Sequence, residues 1–90
     1  MIDNLSALSP DSRSTYLVRT LWHQAKNQND LASQVATEWF QKATKVDYST
    51  DLDLSTISDA NITFANAIFE ASGDQPKSDR TFEAILDRNP

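Results

Sequence analysis

DLASQVATEWFQKATKV, residues 30–46, decides the fold class. Its apolar residues Leu31, Ala32, Val35, Ala36, Trp39, Ala43 and Val46 recur with a period of about 3.6 and share one helical face. Asp30 is the expected N-cap of that helix. Glu38 and Lys42, four apart in the favourable order, belong to its outer side. A helix with one apolar face needs other helices to cover it, and the chain supplies candidates on both sides.

Upstream, Ser9-Pro10-Asp11 reads as a helix start, with Ser as cap, Pro in the first position and an acid in the first turn. The first long helix is expected from Pro10 to Lys26, with Leu17, Val18, Leu21, Trp22 and Ala25 as its buried stripe. Tyr16, Arg19, His23 and Lys26 form the opposite, solvated face. Residues 1–8 hold Ile2, Leu5 and Leu8 at spacing three and read as either a short helical turn or a flexible arm across the core. Asn27-Gln28-Asn29 is a short polar connector, which makes the first two long helices neighbours.

Downstream, DYSTDLDLS (47–55) breaks the helical period and reads as a short extended piece or an irregular loop. A third helix starts near Ser55 or Ser58 and runs to Ser72, where Gly73 suits a left-handed C-terminal position. Asp74-Gln75-Pro76-Lys77 reads as a loop, Ser78-Asp79 opens a last helix, and Asn89-Pro90 ends it. The chain holds one Gly and three Pro, too few for the turns of a sheet-rich domain. The expected fold is all-α, residues 1–90 forming one domain, a compact bundle or orthogonal array of four to five short helices. Its expected core is Leu17, Leu21, Val35, Trp39, Phe64, Ile68, Phe82 and Ile85. Asn61 falls inside the third helix's apolar arc and is either buried and hydrogen-bonded or on a half-exposed side.

A chain of 90 residues buries little more than about 60% of its unfolded surface, so covering by a partner or a second copy adds stability. With no Cys there is no disulfide framework. The opening Met-Ile-Asp-Asn-Leu has no basic and apolar leader pattern, and no apolar run is long enough to span a membrane. A cytoplasmic location, with no membrane partner, is the expectation.

Net charge is −5, unevenly spread. Residues 1–46 carry five bases and four acids; residues 47–90 carry three bases and nine acids. Between Asp47 and Asp74 stand six acids and no base. Asp51, Asp53, Ser55 and Asp59 have part of the spacing of a calcium loop. Thr56 stands where that loop needs Gly, however, and Ile62 where it needs a bidentate Glu, so no metal is expected. His23 is the only His, and no Ser or Asp is marked as its catalytic partner. One Gly cannot build a phosphate-cradling loop. Neither catalysis nor a cofactor is expected. Asn61-Ile62-Thr63 matches a glycosylation sequon by chance, since it lies inside a helix.

What remains is contact. Asp47, Asp51, Asp53 and Asp59 fall within thirteen positions and present carboxylates as a phosphate row would, which suits a larger protein with a basic surface. Trp22 and Phe40 stand at the margins of their apolar arcs and are candidate contact rings for that partner or a homo-oligomer. The leading expectation is therefore a non-catalytic acidic interaction module, an inhibitor or regulator. The alternatives are a helix-turn-helix DNA-binding protein reading through residues 31–45 and a self-associating structural subunit. Direct nucleic-acid binding is disfavoured by the acidic balance, with a pI near 4.5.

Overall fold

Trp39 and Phe40, adjacent on the second helix, are both sealed from solvent, and the other elements are arranged around them. The computed structural model describes residues 13–48 and 53–88. Among the described residues there are four helices: α1 (Arg13–Ala25), α2 (Asn29–Thr44), α3 (Asp59–Ser72) and α4 (Gln75–Arg88), with a 3-10 turn at Leu54–Thr56. No strand occurs among the described residues, and the fold is all-α. α3 touches the three other helices; α1 packs on α2 and α3, while α4 packs on α3 and the 3-10 turn. The expected arm over residues 1–8, the Ser9-Pro10-Asp11 start, Asp51 and the final Asn89-Pro90 lie outside the described residues.

The core sits between α2 and α3. Trp39 meets Phe64 edge-on with ring centres 4.8 Å apart. Phe40 lies against Phe69 at 6.0 Å and Tyr48 at 5.3 Å, and Tyr48 closes the triangle onto Phe69 at 5.5 Å. Edge-to-face pairs of this kind add attraction beyond simple burial. Ala36, Ile62, Ala65 and Ile68 fill the remaining space, while Leu54 and Ile57 cover it from the 3-10 segment. Of the expected core, Val35, Trp39 and Ile68 are buried, and Leu17, Phe64 and Ile85 are partly so.

Two expected core residues are not in the core. Leu21 and Phe82 are exposed, because the inward faces of α1 and α4 pair small polar residues with Leu17 and Ile85 instead. On α1 the buried positions are Thr15 and Thr20; on α4 they are Ser78 and Thr81. Small side chains let helices approach closely, although the buried Thr20 hydroxyl has no hydrogen-bond partner among the described residues. Thr81 donates to the Lys77 and Ser78 carbonyls, both at 3.0 Å. Asn66 of α3 crosses the seam, its Nδ2 donating to the Ser78 carbonyl at 2.9 Å and to Thr81 Oγ1 at 3.3 Å. Asn61 is half-buried and accepts from Arg13 Nη2 at 3.0 Å, tying α3 to α1.

The helix ends follow local chemistry, with three departures from expectation. Ser58 caps α3 by accepting from the Asn61 N–H at 3.2 Å, and Gly73 closes it at φ 80°. α2 begins at Asn29, so Asp30 lies in the first turn, where a carboxylate still suits the helix dipole. It ends at Thr44, with Lys45 in the left-handed conformation at φ 64°. α4 starts at Gln75, because Asp74 accepts from the Lys77 N–H at 3.3 Å in the manner of an N-cap, and Pro76 has no N–H to satisfy.

Asp74 also joins distant parts of the chain. Ser33 Oγ on α2 donates to its Oδ2 at 2.6 Å, and Lys77 Nζ lies 2.9 Å from the same oxygen. Burial alone would raise its pKa; the Ser33 and Lys77 hydrogen bonds and the Lys77 charge outweigh that and hold it below the ordinary carboxylate value.

Two outcomes follow. Trp39→Ala, which opens a cavity in the sealed core, costs about 3–5 kcal/mol, while Trp22→Ala on the surface changes stability by less than about 0.5 kcal/mol, as chemical denaturation will measure. Asp74→Asn is less stable than the parent at neutral pH. A depressed carboxylate stabilises the fold above its unfolded pKa of about 3.9 and loses that contribution as pH falls through its folded value. The gap between parent and variant, followed by thermal melting, therefore narrows as pH drops below about 4.

Candidate interaction face

Arg88, in the last turn of α4, reaches back to the acidic segment. Its Nη2 donates to the Leu54 carbonyl at 2.7 Å, and its Nη1 pairs with Asp59 Oδ1 at 2.7 Å. Asp53, beside Leu54, caps the 3-10 turn by accepting from the Ser55 N–H at 2.9 Å. Hydrogen bonds from Ser55, through its side chain and backbone, hold the Asp53 carboxyl below its ordinary pKa. Between this turn and α4 lies a cleft of about 450 Å³ lined by Asp53, Leu54, Ser55, Arg80, Glu83, Ala84, Asp87 and Arg88.

The outer side of α4 continues from that cleft. Phe82 and Leu86, one turn apart, are 51% and 53% exposed. Asp79, Glu83 and Asp87 are exposed along one edge of that pair, at the same helical spacing. The result is an apolar centre with an acidic rim.

The sequence-expected site residues separate into three groups. Asp53 lines the cleft, and Asp59 pairs with Arg88, which lines it as well. Asp47 is exposed after the end of α2, next to Tyr48, which packs into the aromatic core; Asp51 lies outside the described residues. Trp22 is 55% exposed on α1, with Val18 at 52% and Leu21 at 48% beside it. Phe40 is 0% exposed, which corrects its assignment as a contact ring. Tyr48 and Phe69 enclose it, because the chain after α2 folds back over that side of the helix.

Asp79, Phe82, Glu83, Leu86 and Asp87 were not expected at a surface site. The signal was there in the acids at positions 79, 83 and 87, but assigning Phe82 to the core turned the helix the wrong way. The uncompensated acids of the sequence are also partly compensated in space by Arg88, which is distant along the chain from Asp59.

Elsewhere, on the outer face of α2, Gln34, Lys42 and Lys45 are exposed, while Glu38 reaches α1. Glu38 accepts from Tyr16 Oη at 3.2 Å and lies 3.4 Å from Lys42 Nζ and 4.0 Å from Arg19. His23 meets Trp22 edge-on, and its Nδ1 is 2.9 Å from Gln28 Oε1 at the α1–α2 connector. Among the described residues no helix is long and apolar enough to cross a membrane, and no group of three acidic or His side chains gathers as a metal site. Comparison with protein-family models, with curated proteins and with solved structures returns no match.

Arg88→Gln unclips the 3-10 turn from α4. It costs about 1.5–3 kcal/mol, as expected for hydrogen bonds to a charged group, and amide exchange at residues 54–57 accelerates. Asp59→Asn, at the exposed end of the same clip, costs less than about 1 kcal/mol.

Proposed function

We propose that this chain is a non-catalytic protein–protein interaction module, an inhibitor or regulator whose acidic α4 face engages a basic surface of a larger cytoplasmic protein. The supporting observation is the exposed pair Phe82 and Leu86 rimmed by Asp79, Glu83 and Asp87, with Asp53 and Asp59 alongside. Large apolar groups in a charged rim have the anatomy of a contact surface: the centre supplies affinity and the rim supplies encounter rate and specificity. Trimming Phe82 and Leu86 leaves the buried Ser78 and Thr81 seam untouched, so the face is separable from the fold.

The test is capture from the native host lysate with three baits: the parent, Phe82→Ser/Leu86→Ser, and Glu83→Lys/Asp87→Lys. A basic protein retained by the parent at low salt is lost with both variants, and its retention falls as salt rises above about 0.1 M, where charges more than about 10 Å apart are screened. A capture set identical for all three baits removes α4 as the contact face.

A further inference from the structure

α1 carries the counterpart of the α4 face. Its outward strip is Val18, Leu21, Trp22 and Ala25, and its exposed edge is basic, with Arg19 and Lys26. Lys26 Nζ sits 4.3 Å from the Trp22 ring centre, so the basic edge reaches onto the apolar strip itself. α1 contains no Asp or Glu. The two helices match in length, 13 and 14 residues, or about 20 Å each. Within one chain α1 rests chiefly on α2 and α3, and α4 on α3 and the 3-10 turn.

We propose that α1 of one copy docks on α4 of a second copy, a head-to-tail association in which Trp22 and Leu21 cover Phe82 and Leu86. The charge complementarity selects this occupant. An α1–α1 contact would set bases against bases, and an α4–α4 contact acids against acids; only the mixed pairing sets Arg19 and Lys26 against Glu83 and Asp87. The helical register also fixes the direction. In each helix the charged edge follows the apolar strip by about a quarter turn in the same rotational sense. Two facing helices with that arrangement bring their charged edges to one side only when they run antiparallel. The association rests on the reading of α4 as a docking face and adds a regulatory consequence: a second copy masks the acidic face from the larger basic partner.

A heterologous contact predicts a complementation that a dimer through α1–α1 or α4–α4 contacts does not give. The parent associates with rising concentration in sedimentation up to about 1 mM, the weak end of specific binding. Leu21→Ser/Trp22→Ser and Phe82→Ser/Leu86→Ser are each monomeric alone, with parental circular dichroism. Mixed in equal amounts they form a dimer and stop there, since each supplies the one face the other lacks. Arg19→Glu/Lys26→Glu weakens the parent's association at least tenfold, and adding Glu83→Lys/Asp87→Lys to the same chain restores it.

A parent that stays monomeric, a double-Ser variant that dimerises alone, a mixture that stays monomeric, or a charge reversal without effect each overturns the proposal. The α1 double-Ser variant separates this test from that of the partner reading: its α4 face is intact, so its capture of a basic protein is independent of self-association.

Discussion

The aromatic seam between α2 and α3 is the constraint on which the rest depends. Trp39 and Phe40 are neighbours in sequence and so leave the α2 axis in directions about 100° apart. Burying both requires cover on two sides. α3 provides Phe64 to one ring and Phe69 to the other, and the segment after α2 bends back to add Tyr48. Once that seam is closed, α1 and α4 meet sites already filled with bulk. They approach with Thr20 on one side and Ser78 and Thr81 on the other, beside Leu17 and Ile85, and leave Val18, Leu21, Trp22, Phe82 and Leu86 exposed.

This arrangement explains what was legible in the sequence. The all-α class, the α2 stripe, the Ser58 cap and the Gly73 stop are local properties, set by periodicity and by the needs of helix ends. They could be read without knowing the neighbours. The inward face of α1 and α4 was not legible in the same way. A period of 3.6 says which residues share a face; it does not say which way the face points. The usual inference that the apolar face is inside placed Leu21 and Phe82 in the core, and both are exposed. Phe40 failed in the opposite direction, since its cover comes from Tyr48 and Phe69, beyond its own helix.

The polar contacts divide labour in a related way. Asp74 and Arg88 tie elements together: Asp74 starts α4 while accepting from Ser33 of α2, and Arg88 ends α4 while holding the Leu54 carbonyl. α4 is thus anchored at both ends by charge-assisted hydrogen bonds and along its length by small polar residues against α3. Such bonds are directional and fix orientation, whereas an apolar seam alone would tolerate rotation about the helix axis. The anchors at the ends keep Phe82 and Leu86 pointing outward even though burying them would be favourable.

That arrangement has an energetic consequence for a domain of this size. Fully burying a side chain such as Leu or Phe is worth about 1.5–3 kcal/mol, and folding leaves much of that unrealised at Leu21, Trp22, Phe82 and Leu86. Against the 5–15 kcal/mol typical of a whole domain, this is a large reserve. It is released only when another surface covers the strips. Anything that binds the folded chain there and not the unfolded one stabilises it by mass action, so fold stability and association become linked quantities. The two strips differ in what they admit, because Arg19 and Lys26 edge one while Asp79, Glu83 and Asp87 edge the other. Under the proposed docking, the apolar reserve supplies the drive to associate and the sign of the charged edge selects the surface that covers it.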